Sequence, residues 1–446
     1  MAQMLLIGIT WVQASDVNLD LEIKNHVEEI LKSSFENVSR SYFNGNPLRN
    51  GMDYMIHGIN KPNAQAMQLS CVWESMQHAS SRIQAEVPDT TGLDSFMKSH
   101  CSQLSHSKCR SNSFQPLYCD ENNPYRSIDG TCNNINNPRL GSANQPFGRY
   151  READYGDGVG SPRTGKRYTR LPNAREVSNI MAKAEPRSKP DVSVMFMQWG
   201  QFLSHDITFT SGMMDKDCCT NDKMHKYGKS LDEACIPIDV RDDPYYRRFH
   251  VECLKFVRSR PCTKGCSFGK REQVNENTAF VDASQVYGSS AEEADKLRTK
   301  SGGQLNITDN VFTHKPMPPF GNIPNVPKLE CRFAEPEKCF LAGDARIDMV
   351  PGLIAMHTAF IRLHNILATE LQSLNAHWTD EKIYQEARRI VGALVQQITY
   401  REWLPILLGP KVMAEKKLKV EIYGYKDTYI PNEDPTVKNV FSAAAF

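Results

Sequence analysis

The sequence predicts a mainly α-helical protein with disulfide-bonded loops, on three observations. Apolar residues recur at three- to four-residue steps in several long stretches, strand-like alternation is short and rare, and cysteines crowd the polar segments between the helical patterns. At 446 residues the chain suffices for one large domain or two to three ordinary ones, so size does not exclude an enzyme. Lys plus Arg at 53 nearly cancels Asp plus Glu at 52 and no long block of one sign occurs, which argues against nucleic acid or anionic lipid as a partner. No apolar run reaches the roughly 18 residues needed to cross a bilayer, so no membrane span is expected.

The first residues, MAQMLLIGITWVQASD, hold a short apolar core from Met4 to Val12, and Val12-Gln13-Ala14 has the small-residue spacing of a signal cleavage site. Residues 1–14 are therefore read as a signal peptide cut after Ala14, against the alternative of an ordinary buried first segment. Disulfides in an exported protein suit the loop cysteines better than a reducing cytosol does. The cysteine total of 13 is odd, so at least one thiol is free, intermolecular or paired beyond this sequence. Sequons at Asn37 and Asn306 agree with secretion to the extracellular space.

From Leu21 to Val38 the apolar positions trace one face of a helix, and a second such pattern runs from about Ala64 to Ile83. Beyond Cys101 the texture turns to Asn, Ser, Pro and Gly, placing a boundary near residue 110. Residues 15–110 are read as a helical N-terminal extension or pro-region, and 111–446 as the main domain. Within it, residues 190–210 form a helix started by Pro190-Asp191, apolar nearly all round and hence buried. Residues 212–272 are a cysteine-bearing loop region. Helices are predicted over 351–375, beginning at Pro351, and over 380–400, with Pro405 closing the run.

Three stretches carry candidate chemistry. In MFMQWGQFLSHD, Gln201 and His205 are four apart and share a helix face, whereas Asp206 points about 100° away toward a different partner. The bland alternative is a buried histidine satisfied by a backbone carbonyl beside a capping aspartate. In NENTAFVDASQVYGSS, the oxygens of Thr278, Asp282 and Ser284 and the Phe280 carbonyl alternate as in a calcium-wrapping loop, with Asp206 as a second carboxylate; the alternative is a small polar turn. Arg346 in AGDARIDMVPG precedes a helix, where a guanidinium near a histidine stabilises negative charge or serves as an ordinary ion-pair partner.

MFMQWGQFLSHD, REQVNENTAFVDASQVYGS, CFLAGDAR, MHTAFIRLHNILATEL and YQEARRIVGALVQQITYREWLPILLG occur in this order, and together they resemble the animal heme peroxidases, over roughly residues 115–446. The resemblance implies a mainly α peroxidase domain using hydrogen peroxide to oxidise a small donor such as a halide or phenol, with heme b and Ca2+ as cofactors. It implies His205 as the distal acid–base, Gln201 as the pocket glutamine, Arg346 as the distal arginine and Met349 in the heme pocket. Asp206, Thr278, Phe280, Asp282 and Ser284 become the calcium ligands. The disulfides implied are Cys119–Cys132, Cys218–Cys235, Cys219–Cys253 and Cys331–Cys339. An extracellular-matrix or cell-surface partner is left open.

The chain departs from the pattern in two ways. Where halide-oxidising members carry carboxylates that tie heme covalently, Ser204 and Met349 stand here, and Val350 occupies the place of a sulfonium-forming methionine. No ester-linked heme is expected. In the family the segment after NVF continues into the helix bearing the proximal histidine, whereas here Phe446 ends the sequence and no histidine follows His377. The expectation is a peroxidase domain truncated at its C-terminus, with no proximal ligand and little heme affinity of its own. Two rival readings stand beside it: a secreted binding or adhesion protein that lost the chemistry, which lacks an Arg-Gly-Asp or Lys-Gly-Asp tripeptide, and a fragment unable to fold alone.

Overall fold

The computed structural model describes residues 21–43, 64–87, 117–166, 171–182, 191–212, 218–219, 234–263, 269–309, 314–321, 339–421, 423–424 and 429–442. The predicted signal segment, the stretch between the two N-terminal helices, the predicted boundary near residue 110, and Cys331 lie outside them.

The described chain is mainly helical. α1 (Leu21–Phe43) and α2 (Ala64–Glu86) are followed by α3 (Ala174–Met181), α4 (Val194–Ile207), the short α5 (Ser284–Tyr287) and α6 (Ala291–Lys296), then α7 (Pro351–Leu374), α8 (Asp380–Gln397) and α9 (Leu404–Glu415). Strands are two to four residues long. β1 (Gln145–Pro146), β5 (Glu272–Asn275) and β4 (Pro261–Cys262) form an antiparallel three-stranded sheet, while β2 (Ile238–Asp239) pairs with β3 (Cys253–Leu254) and β6 (Thr308–Asp309) with β7 (Pro316–Met317). Among the described residues no helix is long and apolar enough to cross a membrane.

α1 and α2 pack on each other through Val27, Ile30, Leu31, Phe35, Val72, Met76 and Ile83, the apolar face that their spacing predicted. This pair is also seated on the main body. Ser70 Oγ donates to the Pro261 carbonyl at 2.9 Å, Ala66 and Leu69 pack on Cys262 and Val274, and the Arg271 guanidinium lies 5.3 Å from the Trp73 ring centre.

The main core lies where α4, α7 and α8 meet: Trp199 and Phe202 of α4 touch Leu353, Met356, Phe360 and Ile361 of α7, with Tyr384, Val391 and Val395 of α8 closing the cluster. α4 differs from its prediction at its start. Its N-cap is Ser193, and Val194, Met195 and Met197 are exposed, so burial begins at Gln198, where the helix enters the space between α7 and the Ile398–Trp403 stretch. Pro405 does not close the helical path either. Ile398–Trp403 is one π-type turn that runs straight into α9, whose first residue Leu404 donates its amide to the Thr399 carbonyl, and Pro405 follows in the first turn of α9. That turn holds α4 in place: Trp403 Nε1 donates to the Phe196 carbonyl at 2.8 Å, and Trp199 Nε1 donates to Thr399 Oγ1 at 3.3 Å. Gly200 makes the approach close enough, since a Cβ there would stand 3.0 Å from the Trp403 ring.

Disulfides join Cys119 to Cys132, Cys218 to Cys235 and Cys219 to Cys253, the last at the start of β3. Cys71 and Cys339 are also disulfide-bonded, with partners outside the described residues, and Cys262 is a buried free thiol.

Candidate active site

The last turn of α4 carries the candidate chemistry, and its two adjacent ionisable residues face different ways. His205 is fully buried on the side of Asp344, with Nδ1 3.7 Å from Asp344 Oδ1. Burial, reinforced by Arg346 and His357, pushes the imidazole down to about 3 against the opposing pull of Asp344, so the ring is neutral at physiological pH. Gln201 lies one turn earlier on the same helix face, its Oε1 accepting from Gln198 Nε2 at 3.2 Å. The bland arrangement of a buried histidine is found elsewhere in the chain. His364 is bracketed by the Tyr287 hydroxyl and the Gly303 carbonyl, each at 2.8 Å.

Arg346 reaches this turn from the 3-10 stretch Ala345–Met349, which leads into α7. Its Nε donates to Asp344 Oδ1 at 2.8 Å and its Nη2 to Asp344 Oδ2 at 2.5 Å, a forked pair that fixes the guanidinium plane. Nη2 also donates to the Thr208 carbonyl at 2.8 Å and reaches the His205 carbonyl at 3.5 Å. A cation at these carbonyls suits the negative end of the α4 dipole. Burial alone would raise the Asp344 carboxyl, but Arg346 and then His205 hold it at about 2, so the pair is ionised. The Phe209 ring covers the guanidinium at 4.5 Å. On α7, His357 is fully buried with its ring edge-on to Phe202 at 5.1 Å, and neither ring nitrogen has a hydrogen-bond partner among the described residues. Asp344 and His357 were not singled out in the sequence. The Gly-Asp just before Ala345-Arg346 is the signal for the former; the latter reads like any helix position.

Asp206, fully buried, faces the 278–284 loop. The Ser284 hydroxyl donates to the Asp206 carbonyl at 2.6 Å and to its Oδ1 at 2.9 Å, while the amides of Ser284 and Ala283 donate to Oδ1 and Oδ2 at 2.6 and 3.2 Å. Thr278 Oγ1 donates to Asp282 Oδ2 at 2.9 Å, and the Ser284 amide also reaches Asp282 Oδ1 at 3.1 Å. Ala283 sits at φ +65°, the left-handed turn that folds the loop back on the helix. Asn277 Nδ2 bonds the carbonyls of His205 and Asp206 at 2.5 and 3.3 Å, which stitches loop to helix end. Two buried carboxylates thus share one small space. Burial and then Asp282 raise Asp206 well above the usual carboxylate range, and burial raises Asp282 as well. A divalent cation among these oxygens would remove that penalty, so the residues fit a hard, oxygen-ligated ion. No group of three or more His, Cys, Asp or Glu suited to a metal occurs among the described residues; this set has only two carboxylates.

The two sites touch through Gly343. A Cβ on it would lie 2.5 Å from the Ser284 carbonyl oxygen and the Tyr287 amide nitrogen, and closer still to the Gly288 amide. Only glycine lets the segment carrying Asp344 press on the turn that follows the loop.

Other expected residues are less central. Met349 is exposed at the end of the 3-10 stretch rather than enclosed beside His205. Ser204 donates its hydroxyl to the Gln201 carbonyl at 2.7 Å. Asp348 is the carboxylate nearest in sequence to Met349, but it turns away to accept the Phe340 amide at 3.0 Å. Neither the cavity of about 230 Å³ beside Tyr125, Arg126 and Arg388 nor the one of about 980 Å³ beside Arg149 and Lys270 is lined by Gln201, His205 or Arg346. Of these three, His205 is fully buried, whereas Gln201 and Arg346 are half-buried. The imidazole and guanidinium fit the distal face of a heme chemically, as a neutral base beside a fixed cation.

Comparison with known proteins places the chain in a family. A family model described as animal haem peroxidase matches residues 125–446. Mouse (Mus musculus) myeloperoxidase is 38% identical over 337 residues, covering 73% of this chain and 46% of the mouse protein. Hamster (Mesocricetus auratus) lactoperoxidase is 35% identical over 451 residues, covering 95% of this chain and 60% of that protein, and Aedes aegypti chorion peroxidase is 39% identical over 345 residues, covering 74% and 42%. The chain thus spans about half the length of the relatives it matches. Among solved structures, peroxidase A from Dictyostelium discoideum superposes with a TM-score of 0.56 at 26% identity, covering 72% of this chain and 58% of that one. With the match extending over most of the sequence and containing both the His205 turn and the 278–284 loop, this chain belongs to the animal heme peroxidase family.

Proposed function

We propose that the protein carrying this chain is a secreted, heme-dependent peroxidase that reduces hydrogen peroxide and oxidises a small donor, such as a halide or a phenol. Gln201, His205, Arg346 and Met349 would face heme b, and Asp206, Thr278, the Phe280 carbonyl, Asp282 and Ser284 would hold one Ca2+. The observation that carries this reading is the enclosure of a neutral imidazole beside a guanidinium already fixed by its own carboxylate.

The chemistry follows from those groups. Heme, when bound, supplies the redox step. His205 takes a proton from one peroxide oxygen and returns it to the departing one, so that water leaves; a base kept neutral by burial is ready for the first transfer, and such catalysis contributes roughly 10²–10⁴-fold. Arg346 lowers the cost of negative charge developing on oxygen, and its fixed plane avoids reorganisation during the step. The Asp206 loop anchors the end of the helix that presents His205. Secretion is supported by three disulfides among turn-rich loops. Of the two sequons, Asn37 is exposed on α1, whereas Asn306 Nδ2 donates to the carbonyls of Lys296 and Arg298 at 3.1 and 3.0 Å, one of which a glycan would displace.

The test is heme titration of the intact protein followed by peroxide-dependent oxidation of iodide and of a phenol. A Soret band with turnover of either donor is expected; a heme-loaded protein inert toward peroxide overturns the reading. Acid–acetone should release the heme, because a serine and a methionine offer no ester-forming carboxylate at positions 204 and 349.

A further inference from the structure

We infer that Asp344 is a positioning residue that ties the imidazole of His205 and the guanidinium of Arg346 into one preset unit. The inference rests on the peroxidase reading above. Asp344 caps the 3-10 stretch, its Oδ1 accepting the Arg346 amide at 2.8 Å, so the carboxylate is itself held by the backbone whose side chain it orients. The forked bond to Nε and Nη2 consumes one edge of the guanidinium. Nη2 is further held by the Thr208 carbonyl at 2.8 Å, and Nη1 takes no hydrogen bond among the described residues, which leaves that end for a ligand.

The same Oδ1 stands 3.7 Å from His205 Nδ1. That is beyond hydrogen-bond length, so the carboxylate acts on the ring through its charge. A negative oxygen opposite Nδ1 favours the tautomer with the proton on Nδ1, which leaves Nε2 as the basic nitrogen. The arrangement parallels the acid–histidine pairing in which a buried carboxylate sets the tautomer and orientation of a catalytic imidazole. His357, within electrostatic reach of the same carboxylate, makes no hydrogen bond to it and does not compete for its oxygens.

The first measurement uses the chain without heme. In a sample labelled with 15N-histidine, the His205 ring, assigned by its loss in His205→Gln, should carry its proton on Nδ1; a proton on Nε2 in the folded wild type overturns the inference. The second uses the intact, heme-loaded protein. Asp344→Asn, which keeps shape and removes charge, should slow peroxide reduction on the order of a hundredfold while leaving the KM of the reducing donor within about twofold, and Asp344→Glu should recover part of the loss. A rate for Asp344→Asn within about threefold of wild type overturns the inference. If Asp344→Asn does not fold, the wild-type tautomer decides alone. An Nδ1–H tautomer in a wild-type protein inert toward peroxide would support the positioning role and sink the peroxidase reading, so the two failures are distinguishable.

Discussion

His205 and Asp206 are neighbours in the chain and equally buried, yet one faces an ion pair and the other a like charge. His205 faces an ionised aspartate–arginine pair whose charges nearly cancel, and it responds to burial by staying neutral. Asp206 faces a second carboxylate, and three hydrogen bonds to its carboxylate from Ala283 and Ser284 do not offset the burial of two like charges. The difference teaches how one helix turn holds two electrical settings. The histidine side is balanced around a neutral base; the aspartate side gathers like charges, the environment that the proposed Ca2+ would relieve.

The contrast can be broken most forcefully by substituting each neighbour in turn. His205→Gln should lower peroxide reduction by about 10²–10⁴-fold with the response to calcium intact. Asp206→Asn should abolish the calcium response, measured by thermal unfolding with and without chelator. Loss of both properties in both variants would show that the two sides are not separable. Next in size is the ion itself. Calcium at about 100 times its dissociation constant should stabilise the protein by about 2.7 kcal/mol, and Asp282→Asn should remove that increment. An unfolding midpoint indifferent to chelation in the wild type would refute the calcium loop.

The smallest effect concerns Asp348, whose carboxyl is raised by burial to about 6 from an ordinary 3.8. With the folded pKa above the unfolded one, its contribution to stability is fully present below about pH 3.8 and is lost as pH rises through about 6. Asp348→Asn should therefore be the more stable protein at pH 7, by on the order of 1 kcal/mol once solvent screening of this partly exposed group is discounted, and the gain should vanish near pH 4. Urea unfolding at the two pH values decides; an equal difference at both would rule out this origin.

Much of the contrast was legible in the sequence, because helix geometry alone sends residues 205 and 206 in different directions. The alternating oxygens from Thr278 to Ser284 were legible for the same local reason. What faces His205 was not. Asp344 lies 139 residues downstream of His205, and beside Arg346 it reads as a cap for the next turn, which it also is. His357 sits in a strongly periodic helix where nothing local marks it. Pro405 misled because proline signals an end only when its amide is needed, and here a π-type turn has already restarted the helical path. The exposed start of α4 was equally hidden, since an apolar run gives the potential for burial but not the extent of its neighbours.

Gly343 gives the two sides a shared mechanical fate. Where backbone meets backbone with no room for even a methyl group, there is no cushion to take up movement. A shift of the Ser284 turn by a fraction of an ångström is therefore delivered to the segment that bears Asp344 and Arg346, so the shape of the loop and the aim of the guanidinium are adjusted together.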